Sequence, residues 1–337
     1  MGNMKRKQVR AENGRMGSLH ALLTKYPDER SCERRLMEVR WPEGWECERC
    51  GCATCSPVAG RNRTWQCTRC SHQFSVTVGT AMQHSKVHLR RWFHAMWLLA
   101  RSKRGVSASS LPPRWGSRRT RRPSCRGACA APWRDRSASD VLSGEVEADD
   151  FFLAARDRTR RRGPGRGTDR QPMLAAVERS SGRRGRCALR VVPDCGGASW
   201  GEFASGHVDG AAHVRTDGWP GITSGLRAWA GLDQRKFDAR DRDASLPTVH
   251  HVISNFKSWA TGTFHGLSTV RLQAYADEFS WRYSHRGCDA TTALVADCCL
   301  GYYRRDQLHG EVFDPQPPTM PARGRPGRGS RSGILRL

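Results

Sequence analysis

The chain has 337 residues, 57 Lys and Arg against 32 Asp and Glu, and a formal net charge of +25 at pH 7. Such a balance draws polyanions, because each neutralised phosphate releases a counterion, so nucleic acid is the expected partner. With 37% hydrophobic residues the composition is that of a globular protein of two or three domains, not of a disordered chain.

No signal peptide opens the chain and no stretch approaches ~18 apolar residues, which argues against secretion and membrane insertion. The expected setting is a reducing compartment, the cytoplasm. There, 14 cysteines read as a metal site plus scattered thiols, not as a disulfide framework.

Residues 1–40 form an N-terminal segment with a helical period around Leu19, Leu22 and Leu23. Residues 41–84 carry the sharpest motif: Cys47-x-x-Cys50, then 16 residues, then Cys67-x-x-Cys70. Two such knuckles joined by a loop of this length offer four thiolates to one tetrahedral structural Zn2+, a zinc ribbon. Cys52 and Cys55 repeat the gap but follow Cys50 too closely to serve the same ion, and are read as spectators.

Residues 85–142 begin as a helix capped at Ser85, with Leu89, Trp92, Phe93, Met96, Leu99 and Ala100 forming a core stripe. Arg90, Arg91 and Arg101 fall on the other face. After residue 110 the texture turns irregular. Between Pro112 and Arg136 eight arginines stand against one aspartate with no usable hydrophobic period, so no packed element is readable there.

From residue 143 to 286 short strands are expected at Gly144–Leu153, Pro172–Arg179, Cys187–Pro193 and His213–Asp217, with a helical stretch near Phe203 before the last. A helix from about His250 to Ala260 carries Val252, Phe256 and Trp259. The loop between the first two strands is long and basic, and its Arg160, Arg161, Arg162 and Arg166 are expected to touch DNA. Residues 287–337 read as a C-terminal tail, rich in Pro, Gly and Arg and disordered after Asp314.

The segments CERCG, WQCTRC, QFSVTVGTAMQHSKVHLRRWFHAMWLL, EVEADD, VRTDGWPG, SNFKSWATGTFHGLS and LQAYADEFSWRY together resemble the zinc-ribbon DDE transposases of bacterial insertion sequences, the ISXO-like branch, over residues 20–110 and 143–286. The resemblance implies an α/β, ribonuclease-H-like catalytic domain, a mixed sheet flanked by helices, behind a zinc ribbon and a helical DNA-binding region. It further implies metal-dependent cleavage at element ends, transfer of the 3′-hydroxyl to target DNA, and a homo-oligomer assembled on DNA. The strand order read from the residues agrees with that fold.

The resemblance carries the family's first catalytic aspartate onto Asp149 and the second onto Asp217. Asp150 points to the opposite face of its strand by the period of two and is a backup only. Many relatives carry a Glu seven residues before a Lys on the last helix, and counting back from Lys257 reaches His250, two turns away on the same side. Imidazole is softer than carboxylate and suits Mn2+ better than Mg2+. The expected set is Asp149, Asp217 and His250 on Mg2+ or Mn2+, with Lys257 on phosphate; Asn255 and His251 are the alternatives for the third role. The plainer reading of His250 is that it caps or packs its helix. Trp219 reads as core before active-site rim, and His265 as a loop-ordering or phosphate-contacting residue.

One departure stands out. Relatives continue from GVSA into a helix-turn-helix, whereas here similarity stops at SSLPPRW and resumes at GEVEADD, the pattern that two compensating frameshifts leave. A decayed copy, inactive and acting only as a zinc-ribbon DNA-binding protein, is therefore the alternative function, and a ribonuclease-H-like nuclease without strand transfer is a third.

Overall fold

A computed structural model of the chain describes residues 18–102, 106, 129, 132–133, 140–154, 170–179, 185–229, 231–234, 246–263 and 272–300. Arg160, Arg161, Arg162, Arg166 and His265, most of the irregular stretch after residue 110, and the tail from residue 301 lie outside the described residues.

The N-terminal part begins with α1 (Leu19–Lys25) and α2 (Glu29–Arg40). Ser18 caps α1 by accepting the Ala21 N–H at 3.1 Å, and Asp28 and Ser31 form a reciprocal capping box on α2. Three short antiparallel strands follow, β1 (Cys55–Pro57), β2 (Thr64–Cys67) and β3 (Gln73–Ser75), in the order β1-β2-β3.

Next comes α3 (Leu89–Arg101), whose Leu89, Trp92, Phe93, Met96 and Leu99 are buried as the stripe predicts. Its start differs from the expectation. Ser85 does not cap the helix; its hydroxyl accepts from the Val87 N–H and the Trp92 indole. The free amides of Leu89 and Arg90 are instead taken by Glu29 of α2, at 2.8 and 3.3 Å. A carboxylate from a neighbouring helix thus replaces the local cap.

The second part is built on β4 (Glu145–Ala154), β5 (Arg170–Glu178), β6 (Cys187–Val191), α4 (Gly197–His207), β7 (His213–Thr216), α5 (Pro220–Gly225), β8 (Gly231–Gln234), α6 (Pro247–Thr263) and α7 (Leu272–Ser284). The sheet runs β6-β5-β4-β7-β8, with β5 antiparallel to β4 and β6, and with β4, β7 and β8 parallel. This is the ribonuclease-H-like order.

Alternation along the strands builds two layers. Phe151, Leu153, Met173, Ala175 and Leu189 face α6 and α7, while Val146, Ala148, Leu174 and Ala176 face α4 and α5. β4 therefore lies at the middle of the sheet, flanked on both faces.

The C-terminal stretch differs from the tail that composition suggests. Ala290–Leu300 forms α8, whose Leu294, Val295 and Cys298 are buried in the same core as α1, α2 and α3. ATTALVADCCL is buried on every side, so it carries no stripe for periodicity to detect. Trp281 of α7 ties α8 in place by donating its indole N–H to Asp297 at 2.8 Å. Among the described residues no helix is long and apolar enough to cross a membrane.

Candidate metal centre and active site

In the ribbon, Cys47 Sγ and Cys70 Sγ lie 3.6 Å apart, as do Cys50 Sγ and Cys67 Sγ. All four sulfurs fall within 4.8 Å of one another, the one such group of three or more metal-binding side chains among the described residues. Zinc–sulfur bonds of about 2.3 Å in a tetrahedron separate the sulfurs by about 3.8 Å, so the cage fits Zn2+.

The two knuckles turn alike. Gly51 N–H donates to Cys47 O at 2.9 Å and Ser71 N–H to Cys67 O at 3.0 Å, and both donors sit at positive φ, 70° and 55°. These turns aim backbone amides at sulfur. Burial pushes the Cys47 thiol up, but the amides of Arg49 and Cys50 and the neighbouring thiols outweigh it and bring it down to about 7. Cys67 is lowered against the same opposition by the amides of Cys70 and Arg69. Stabilised thiolate is the form that ligates metal. Cys52 stays apart, its sulfur 3.2 Å from Thr54 Oγ1.

The second site grows from the pairing of β4 with β7. Glu145 pairs with His213, Val146 with Val214 and Glu147 with Arg215; two steps further, the register sets Asp149 level with Asp217, just past the end of β7. Asp149 projects toward α6, where its Oδ2 lies 3.2 Å from His250 Nε2, while its Oδ1 accepts the Asp150 N–H at 2.8 Å.

Asp150 takes the other face, beside Cys195. Burial first, then the charges of Asp149 and Asp217, push its carboxyl above the usual range, against a hydrogen bond from Cys195. The three carboxylates therefore share one electrostatic neighbourhood. Asp217 Oδ1 accepts the Trp219 N–H at 3.0 Å and the Thr216 hydroxyl at 3.4 Å.

An open cavity of about 810 Å³ lies over β4, lined by Asp149, Phe152, Arg170, His250, Ser254 and Lys257 among others. His250, Ser254 and Lys257 recur at helical spacing along one face of α6. Lys257 Nζ stands 5.3 Å over the Phe151 ring. Asn255 and His251 are exposed and lie outside this lining, so the geometry favours neither for the third role. Trp219, expected in the core, is 56% exposed.

A divalent ion held by Asp149 and Asp217 would meet hard oxygen donors, and one held by His250 as well would meet a softer nitrogen. Their donor atoms do not close into a single cage within 4.8 Å. Two ions about 4 Å apart span a wider donor set than one cage does.

Glu147 was missed by sequence reasoning. It is fully buried and accepts from the Thr248 N–H at 2.7 Å, the Val249 N–H at 2.9 Å and the Thr248 hydroxyl at 3.1 Å, and it forms an ion pair with Arg179, whose Nε lies 3.1 Å from Oε1. A strand residue thus caps α6 two positions before Asp149, and so sets the height of His250 against that aspartate. Its signal was present: an acid on the inward face of a strand demands a partner. Glu147→Ala is expected to cost about 3 kcal/mol in urea unfolding, because it strands buried donors, with Glu147→Gln losing less.

Two family models match the chain, an ISXO2-like transposase domain over residues 141–284 and a transposase zinc-ribbon domain over residues 27–73. A protein of Halobacterium salinarum described as an uncharacterized protein in transposable element ISH50 is 28% identical over 308 residues, covering 86% of this chain and 92% of the relative. No solved structure matches. All four cage cysteines fall inside the zinc-ribbon match, and Asp149, Asp217 and His250 inside the transposase-domain match. The chain thus carries an ISXO2-like transposase domain behind a transposase zinc-ribbon domain, and is similar over most of its length to a protein of a transposable element.

Proposed function

We propose that this transposase cuts phosphodiester bonds at the ends of its insertion sequence and joins the freed 3′-hydroxyl to target DNA, with Asp149, Asp217 and His250 as its active-site set. The observation that carries this reading is the 3.2 Å approach of His250 Nε2 to Asp149 Oδ2 on the cavity wall, where the resemblance calls for a third acid. Bound Mg2+ or Mn2+ would activate the attacking water or hydroxyl and stabilise the leaving oxygen.

The chain's own residues supply the rest. Asp149 presents its oxygens from the middle of β4, Asp217 from just past the end of the adjacent parallel β7, and His250 presents Nε2 from α6. Lys257, two turns beyond, offers its ammonium to phosphate oxygens in the same cavity. Arg160, Arg161, Arg162 and Arg166 are proposed to follow the DNA backbone, and the working form to be a homo-oligomer on DNA.

The test is a cleavage assay with purified protein, Mg2+ or Mn2+, and duplex DNA carrying the inverted repeats that flank the gene. Nicks at the repeat boundary are expected from the wild type and none from Asp149→Ala or Asp217→Ala, at unchanged DNA affinity. Binding without any cleavage would favour the inactive remnant. Affinity should also fall steeply with salt, log K dropping by about 0.9 per phosphate contact for each tenfold rise, as titration by fluorescence anisotropy reads.

A further inference from the structure

Trp219 is the one exposed tryptophan among the described residues, in a chain that holds 12. A lone exposed apolar side chain needs no explanation. This one is held in place. Its N–H donates to Asp217 Oδ1 at 3.0 Å, Gly218 before it turns at φ 80°, and Pro220 after it opens α5. The carboxylate assigned to the active site thus fixes the backbone that carries the indole, and only a glycine takes that turn without strain.

A second exposed aromatic lies on β4. Phe152 is 49% exposed, lines the cavity and follows Asp149 by three residues on β4. Since the strand register sets Asp149 level with Asp217, Phe152 and Trp219 both stand just past the acid pair, at the C-terminal ends of adjacent parallel strands.

We propose that Trp219 is a stacking site for an unpaired nucleobase of the DNA end being cut, an inference that rests on the transposase reading of the acid pair. A phosphate held at Asp149 and Asp217 brings the bases of its own nucleotides to the indole two residues away. An indole offers a broad, rigid face at little conformational cost. Inside a duplex both faces of a base are covered, so Trp219 can engage only a base that has left the stack, and its contact offsets part of the unstacking cost. Charge selects the occupant: the chain carries +25, and Arg170 and Lys257 line the cavity that holds Asp149, so the site suits DNA over another protein.

The experiment compares wild type, Trp219→Ala and Trp219→Phe on two inverted-repeat duplexes, one fully paired and one with unpaired bases beside the cleavage position. Affinity is read in Ca2+ by anisotropy, and cleavage in Mn2+. Trp219→Ala is expected to bind the unpaired end about tenfold more weakly, within the range of one base–aromatic stack, while Trp219→Phe stays within about threefold of wild type. Its cleavage of the paired duplex should fall at least as far and recover substantially on the unpaired one. Equal affinity of wild type and Trp219→Ala for the unpaired end would overturn the proposal, as would an equal loss on both duplexes. A change in sedimentation without DNA would overturn it too, by making Trp219 a contact between copies. If the wild type cuts neither duplex, the catalytic reading fails, and the affinity comparison still decides Trp219.

Discussion

Cys67→Ser is expected to release zinc and to unfold residues 41–80, leaving the ribbon open to protease while the α/β sheet stays folded. The ribbon has little else to hold it. Its strands are three, four and three residues long, and its own cluster of fully buried apolar side chains is limited to Trp45, Cys47 and Cys67. Strands that short do not persist on backbone pairing alone. Structural zinc supplies on the order of 10 kcal/mol of folding free energy in small metal-folded modules, which exceeds what the Trp45–Phe74 stack at 4.5 Å can provide. The damage should spread to α2, because buried Glu33 accepts the Arg63 N–H at 2.6 Å and the Trp65 indole N–H at 3.1 Å across the ribbon contact. Metal analysis after desalting should find about one zinc per chain in wild type and in Cys52→Ser, whose sulfur lies outside the cage. One zinc retained by Cys67→Ser would sink the assignment.

What the sequence revealed and what it hid divide along a physical line. The ribbon was legible because ligand spacing is a local constraint: two knuckles and a loop length define the cage without reference to the rest of the fold. β4, β5, β6 and β7 were legible within a few residues because β-branched, aromatic and alternating runs declare strands locally. Hidden features were those that depend on a distant partner. β8, Gly231–Gln234, is four residues long and owes its existence to pairing with β7. α8 has no polar face, and only the core of α1, α2 and α3 explains its burial. The caps of α3 and α6 come from Glu29 and Glu147, 60 and 101 residues away in sequence. Trp219 was placed in the core for the same reason: hydrophobicity predicts burial, and only the fold shows that the indole is exposed.

The last expected result concerns His250, whose replacement by Ala should reduce cleavage to the level of Asp149→Ala. Two accounts of this residue compete. As a packing or capping residue it would contribute stability, and its loss would lower Tm while sparing chemistry in the folded fraction. Its position argues against capping. The α6 amides of Thr248 and Val249 are already taken by Glu147, and His250 points its Nε2 to Asp149 from a side chain that is 30% exposed to the cavity. A direct ligand should cost more than the about 100-fold that loss of an outer-shell partner costs.

The sharper experiment restores the family's acid. His250→Glu exchanges a nitrogen donor for hard oxygens, so activity should be retained and the metal preference should move from Mn2+ toward Mg2+. A purely structural role would not move that preference, because the ion would not sense the substitution. Asn255→Ala serves as the control: Asn255 is exposed, outside the cavity lining, and should cleave as wild type does. Wild-type cleavage by His250→Ala would remove His250 from the active-site set. An unchanged metal preference in an active His250→Glu would show that the ion is held by Asp149 and Asp217 alone, with the imidazole serving only to orient Asp149.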